Sequence, residues 1–245
     1  MQDFTLENYI PQLSIDCVIF GFSNKKLFVL LPQLESEHQI WALPGGFIKQ
    51  DENIEEAAQR ILKERTNLEA IYLEQFAVFG HKNRINNLFL ERENQEKIHY
   101  LDTLTLTPFQ QEWLSKRFVS IGYFALVDMH KVNPQKGMLD ESIHWVALPE
   151  IPQLIIDHNQ MIDLALKRLR ERIDDNLLAF NLLPSTFTMK ELQELYETVF
   201  DKPFARNNFQ KKILDLDVLE RLEKKYTGAA NKAPYLYRFK RKFFE

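Results

Sequence analysis

A chain of 245 residues has room for one large domain or two modest ones, and 45% apolar with 27% charged side chains is an ordinary globular composition. No apolar run approaches the roughly 20 residues that span a bilayer, and the opening MQDFTLENY lacks the basic start and apolar core of a signal peptide, so a cytoplasmic protein without membrane partners is expected. The single Cys17 excludes an internal disulfide, and the net charge of −4 divides unevenly: residues 177–245 hold 13 Lys and Arg against 9 Asp and Glu, or +4, while the preceding residues hold 18 against 26, or −8.

In chain order, Leu13 to Phe22 and Leu27 to Leu31 read as strands rich in β-branched and aromatic residues, joined by a turn at Ser23-Asn24-Lys25-Lys26. Pro44-Gly45-Gly46 reads as a tight turn, because glycine removes the Cβ barrier to positive φ and lets other groups approach the backbone. A helix follows from about Asn53 to Thr66, with Ile54, Ala57, Ala58, Ile61 and Leu62 as its buried stripe and Glu52, Glu56, Arg60 and Glu64 on the polar side. Taken alone, the i, i+4 ladder Glu56-Arg60-Glu64 is two solvated ion pairs of roughly 0.2–0.5 kcal/mol each. A strand near Leu73 to Phe79 ends at Gly80.

From His81 to Lys116 the periodicity fails, and a stretch of that length without a pattern implies a functional flap, a dimer arm or a partly disordered insertion. Within it Thr107-Pro108 can start a short helix that places Phe109 and Trp113 one turn apart. Strands resume at Phe118 to Val127 and at His144 to Leu148, and Asp157 to Ile173 forms a long helix with Ile162, Leu166 and Leu169 on one side. Asp174-Asp175-Asn176 is the expected boundary, dividing the chain into 1–174 and 175–245.

Thr188-Met-Lys-Glu191 is a capping box, with Phe187 and Leu192 placed for the hydrophobic staple. It starts a helix through about Phe200 that turns Leu192, Leu195, Tyr196 and Val199 inward. After a turn at Asp201 to Phe204, a second helix from Arg206 to Leu214 buries Phe209 and Ile213 and leaves Arg206, Asn207, Gln210 and Lys211 outward. Val218 to Tyr226 and Pro234 to Phe239 then read as a hairpin with Lys232 near its tip. The pattern fits a winged helix-turn-helix, whose second helix carries side chains able to grip phosphates and base edges. The other readings of this module are dimerisation, packing on the first domain, or a winged helix that meets protein.

The order Gly46, five residues, Glu52, seven residues, Arg60 resembles the Nudix box, the signature of hydrolases that cleave nucleoside diphosphates linked to another group. The resemblance implies Arg-Glu-apolar-any-Glu-Glu-any-Gly from residue 60 onward, but Ile61, Arg65 and Asn67 stand where Glu, Glu and Gly are expected. In the family the glutamates hold magnesium and activate water. Isoleucine can do neither, and a guanidinium repels the ion, so a retained scaffold without the chemistry is expected. No catalytic residue, metal ligand or resident cofactor is assigned. The alternative is a working hydrolase that recruits Glu52, Glu55 or Glu56 and needs magnesium.

The whole chain is similar to the Nudix-related transcriptional regulators, through the degenerate box and through Arg117-Phe-Val-Ser-Ile-Gly-Tyr-Phe-Ala-Leu126, Ile155-Ile-Asp-His158, Phe180-Asn-Leu-Leu-Pro184 and Arg206-Asn-Asn-Phe-Gln-Lys-Lys212. The resemblance implies an α/β (α+β) Nudix sandwich followed by a winged helix-turn-helix domain, a homodimer through the Nudix domain, and double-stranded DNA as partner. It also implies a small effector, either ADP-ribose and related NAD metabolites or a sugar such as arabinose. Candidate effector contacts are Phe47, Arg60, Glu64, Arg84 and Arg117; the plainer roles are a bridge from Arg60 to Glu56 and Glu64, and a solvated Arg84. Candidate DNA contacts are Arg206, Asn207, Asn208, Gln210, Lys211, Lys212 and Lys232. The 81–116 insertion departs from these regulators, which usually have a short polar loop there.

Overall fold

The strand that organises the first domain is β1 (Tyr9–Ser23), buried on both faces along most of its length because it lies inside a sheet with helices on either side. The computed structural model describes residues 6–36, 39–69, 71–84, 89–91, 97–104, 106–137, 139–173, 178–225 and 233–240. β1 turns into β2 (Lys26–Leu34) through Asn24 and Lys25, both at positive φ, the backbone that a two-residue hairpin requires. β3 (Gly45–Lys49) pairs with the first half of β1, and β4 (Tyr72–Phe79), β7 (Val119–Val127) and β8 (Asp140–Ala147) complete a sheet ordered β4-β7-β1-β2-β8. The β1–β7 pair is parallel, from Leu13 opposite Val119 to Gly21 opposite Val127, and the other pairs are antiparallel.

Alternate residues of the sheet feed two cores. Ile15, Cys17, Ile19 and Leu30 pack against Ala57, Ala58, Ile61 and Leu62 of α1 (Ile54–Thr66). Val18, Phe20, Val29, Phe124 and Leu126 pack on the other side against Met161, Ile162, Ala165 and Leu169 of α3 (His158–Arg172). Ile54 departs from the expected stripe and is 36% exposed. It is the first helical residue, and its Cα–Cβ bond tilts toward the helix N-terminus, away from the sheet that Ala57 and Ala58 meet.

Pro44-Gly45-Gly46 is not a turn. Gly45 and Gly46 begin β3 opposite Asp16 and Ile15, and neither has positive φ. Their need is room: a Cβ on Gly45 would overlap Asp16 Oδ1, and one on Gly46 would lie 2.9 Å from Ile61 Cγ1.

The described parts of the 81–116 insertion include a separate two-stranded sheet and a helical stretch, 101–114, that packs onto the domain. They comprise β5 (Phe89–Glu91), β6 (Lys97–His99) and α2 (Pro108–Leu114), whose N-cap Thr107 forms a capping box with Gln110. Leu101, Leu104, Leu106 and Leu114 build a small third core with Leu34, Ile40, Ala42 and Ile155. Trp113 is buried, whereas Phe109 is 62% exposed and shares none of that packing.

The C-terminal module is β9 (Phe187–Thr188), α4 (Met189–Phe200), α5 (Arg206–Asp215), β10 (Leu219–Lys224) and β11 (Tyr235–Phe239), with sheet order β10-β11-β9. The capping box forms as expected: Glu191 N–H donates to Thr188 Oγ1 at 3.2 Å, and Thr188 N–H donates to Glu191 Oε2 at 2.6 Å. Phe187, Leu192, Leu195, Tyr196, Val199, Phe209 and Ile213 are all buried. Glu197 locks the turn after α4 by accepting from Phe204 N–H at 2.9 Å, and that bond is the main cause that holds its carboxyl below the usual range. The expected boundary at 174–176, Tyr226 and the hairpin tip with Lys232 lie outside the described residues.

The two parts share one continuous apolar cluster, running from Leu169 and Ile173 through Leu178 and Leu182 to Phe187 and Leu195. Polar contacts reinforce it. Lys25 at the β1–β2 turn pairs with Glu194 at 3.0 Å, and Arg170 Nε donates to Val199 O at 2.6 Å.

Candidate functional site

Arg60 lies on the outer face of α1 and faces β3. Its Nε and a terminal nitrogen donate to both oxygens of Glu52 at 2.8 and 2.5 Å, the second nitrogen also reaches Phe47 O at 2.8 Å, and the third reaches Glu64 at 3.2 Å. The hydrogen bond that Arg60 donates to Glu52 is the largest cause that raises Arg60, and the same bond lowers Glu52, which also accepts from Lys49 N–H. The expected bridge from Glu56 is absent, because Glu56 caps the helix by accepting from Asn53 N–H at 2.8 Å. Arg60 is thus a bidentate clamp between the box helix and the strand before it.

Phe47, whose carbonyl receives Arg60, sends its ring into an aromatic group with Tyr9, Trp113 and Phe118 at centroid distances of 6.0, 4.6 and 5.6 Å. Phe118 O in turn accepts from Arg84 at 3.1 Å. The structure therefore joins Glu64, Arg60, Phe47 and Arg84 in one connected set, with Arg117 exposed beside Phe118. Arg84 is not solvated. It is buried, donates to Asp157 Oδ1 at 2.8 Å and to Phe79 O at 3.0 Å, and keeps Nε 2.8 Å from Asp157 Oδ2 in an alignment that makes no hydrogen bond. Its guanidinium is taken up by the scaffold, where it holds the ends of the strands at Phe79 and Phe118 against Asp157.

A cavity of about 470 Å³ opens beside this set, lined by Arg60, Lys63, Glu64, Asn67, Asn133 and Gln135. The last two come from the segment before β8, which is strapped across the end of α1: Gln135 N–H donates to Arg65 O at 2.9 Å and Asn133 N–H to Thr66 O at 3.2 Å. Lys63 and the C-cap residue Asn67 were not singled out by the sequence pattern, and nothing in the sequence marks Asn133 and Gln135 as their neighbours. Another cavity, of about 440 Å³, belongs to the insertion and includes none of the α1 residues.

Magnesium, which the box resemblance brings with it, does not fit the residues present. Ile61 packs inward against Gly46, Arg65 is cationic, and Glu64 points outward to Arg60. Among the described residues no three His, Cys, Asp or Glu side chains converge as a metal site.

A buried polar network also escaped sequence reasoning. His158 Nδ1 accepts from Leu43 N–H at 2.9 Å, its Nε2 lies 3.9 Å from Asp16 Oδ1, and the other Asp16 oxygen accepts from Ser120. Burial pushes the His158 imidazole below its ordinary pKa.

On the C-terminal module, α5 exposes Arg206, Asn207, Asn208, Lys211 and Lys212, with Gln210 half-buried, while Phe209 and Ile213 anchor the helix. Lys212 lies over the Tyr196 ring at 5.8 Å. On the hairpin, Arg221 and Lys224 flank the Tyr235 ring at 4.6 and 5.6 Å, two cations that the sequence pattern did not single out.

Comparisons with known proteins agree with this layout. A family model described as NUDIX domain matches residues 10–165, and one described as NrtR DNA-binding winged helix domain matches 179–239. The chain is 29% identical over 236 residues to an Acinetobacter baylyi protein named ADPR responsive transcriptional repressor NtrR, covering 94% of this chain and 82% of the relative. It is similar to the crystal structure of Shewanella oneidensis NrtR complexed with a 27mer DNA, at 25% identity over 95% of both chains with a TM-score of 0.70. The fold alone is also shared with a MutT/nudix family protein from Enterococcus faecalis, at 19% identity over 94% of this chain and 87% of that one, TM-score 0.65. The chain belongs to the NUDIX domain family and carries a winged helix domain of the NrtR type after its Nudix domain.

Proposed function

We propose that this protein is a DNA-binding transcriptional repressor whose Nudix domain, within 1–174, senses ADP-ribose or a close NAD-derived relative. Its winged helix, within 175–245, holds operator DNA. The observation that carries the reading is the α5 face: five exposed Arg, Asn and Lys side chains in two turns, on a module that shares its core with the box domain. The first turn of α5 has no acidic residue, and its N-cap Ala205 makes no side-chain cap, so its backbone N–H groups are suited to a phosphate. Arg206 and Asn207 would then meet base edges while Lys211 and Lys212 meet the backbone.

The effector would lie across the 470 Å³ cavity, with Arg60 and Lys63 facing its phosphates and the Phe47 carbonyl strand as its floor. Glu64 would meet hydroxyls, and Arg117, exposed next to Phe118, would add a further positive charge. The names of the relatives, one ADPR responsive and one crystallised with DNA, favour ADP-ribose over a sugar. A homodimer through the Nudix domain completes the proposal, because an effector changes operator affinity only by favouring one placement of two winged helices. Strand β4, at the sheet edge with Val78 exposed, offers a surface for the second copy. No helix among the described residues is long and apolar enough to cross a membrane, which accords with a cytoplasmic regulator.

The test is binding to genomic duplex fragments retained by the protein, measured by fluorescence anisotropy between 50 and 200 mM salt. Neutralising 6–10 phosphates gives a loss of about 10³–10⁵ in affinity over that range. Affinity that is flat with salt would refute the DNA reading.

A further inference from the structure

We infer that Arg65 is the resident cation of the degenerate Nudix box: its guanidinium fills the seat that a divalent ion would need and holds the site together in that ion's place. Arg65 has this role whether or not the chain binds DNA.

Arg65 donates from one terminal nitrogen to Asp140 Oδ2 at 2.6 Å and from the other to Gly45 O at 3.0 Å. A carboxylate and a backbone carbonyl are the hard oxygen acceptors that magnesium or manganese would take. Both partners are inside the fold, with the side chain of Arg65 14% exposed and that of Asp140 4%. Asp140 Oδ2 also accepts from Gly137 N–H at 2.6 Å, and a Cβ on Gly137 would overlap the guanidinium, so the 137 peptide lies directly on the cation. A second carboxylate, Asp16, sits at the Gly45 backbone.

The oxygens of a cation site are therefore present, and they are saturated by a covalently attached positive charge. An incoming divalent ion would meet that charge at the seat and Arg60 and Lys63 at the neighbouring cavity. The guanidinium also does what a bound ion would do for shape. It ties the start of β8 to β3 and the end of α1, which holds the strap bearing Asn133 and Gln135 as a wall of the cavity. Arg65 is thus a positioning residue for the effector cavity, and effector binding does not depend on a divalent ion.

The experiment is a titration of the full chain with Mn²⁺, reading free ion by electron paramagnetic resonance and site occupancy by paramagnetic broadening of backbone amides. The wild type and Arg65→Lys are expected to show no broadening centred on Gly45 and Asp140. Arg65→Gln, checked for folding by circular dichroism, is expected to gain stoichiometric Mn²⁺ binding there, at least ten-fold tighter than the wild type. The double variant Arg65→Gln/Asp140→Asn is expected to lose that gain. Site-specific broadening in the wild type overturns the inference, and so does a folded Arg65→Gln chain with no added affinity, the result of a salt bridge that replaces no ion. Should Arg65→Gln not fold, Arg65→Met is read by the same criteria: Mn²⁺ broadening gained at Gly45 and Asp140 upholds the inference, and a folded chain without it overturns the inference.

Discussion

Arg84→Ala removes a guanidinium whose side chain is 5% exposed and leaves the Asp157 carboxylate, 10% exposed, without its partner. Two carbonyls, Phe79 O and Phe118 O, lose their donor in the same step. Breaking a buried pair from one side typically costs about 3–5 kcal/mol, because the remaining charge stays desolvated. An exposed pair such as Lys26–Glu150 is worth about 0–1 kcal/mol. At roughly 2–4 °C per kcal/mol for a chain of this size, the variant should melt about 6–20 °C lower. Arg84→Met/Asp157→Leu, which removes both charges and keeps apolar volume, should recover most of that loss. The assay is a thermal melt paired with calorimetric titration of ADP-ribose. If Arg84→Ala keeps its melting temperature and loses only ligand affinity, Arg84 is a ligand contact and the scaffold role assigned to it is wrong.

Further outcomes follow from other parts of the structure. His158 must stay neutral to accept from Leu43 N–H, and burial sets its folded pKa below the ordinary value of 6.5. The unfolded chain therefore takes up that proton first, so its stabilising share is complete above pH 6.5 and is lost as the pH falls below it. Melting temperature against pH, compared with His158→Gln, should show the wild type losing more stability between pH 7 and 5; parallel curves would contradict this. Thr188→Ala removes the oxygen that accepts from Glu191 N–H and should cost about 1 kcal/mol, read by denaturant midpoint. On DNA, Lys211→Ala should weaken all duplexes alike, while Arg206→Ala and Asn207→Ala should also relax sequence preference. Equal losses on operator and random duplex for all three would refute that division.

Much of the fold was legible because its signals are local. The β-branched and aromatic run in Leu13 to Phe22, the Thr188–Glu191 capping box and the Thr107-Pro108 start are set by neighbouring residues, and each appears at its expected place. The errors came where distant chain decides. Pro44-Gly45-Gly46 resembles a turn until β1 is laid against it, and then the glycines serve the close approach of Asp16 and Ile61. Strand β9 is two residues long and exists only because β11 lies beside it. The site divides in the same way. Arg60 and Glu64 could be read from helical spacing, but the choice of Glu52 over Glu56 depends on β3, and the pairing of Arg65 with Asp140 spans 75 residues. The insertion gave no periodicity because Leu101, Leu104, Leu106 and Leu114 meet the domain from several short elements instead of one helix face.

The most direct measurement is to titrate ADP-ribose, with magnesium present, into the protein bound to a labelled operator duplex, following anisotropy and nucleotide products together. The account predicts that duplex affinity falls by about 5–150-fold, a coupling of about 1–3 kcal/mol, while the ADP-ribose remains intact. Release of AMP from ADP-ribose with no change in duplex affinity would show a working hydrolase and contradict it.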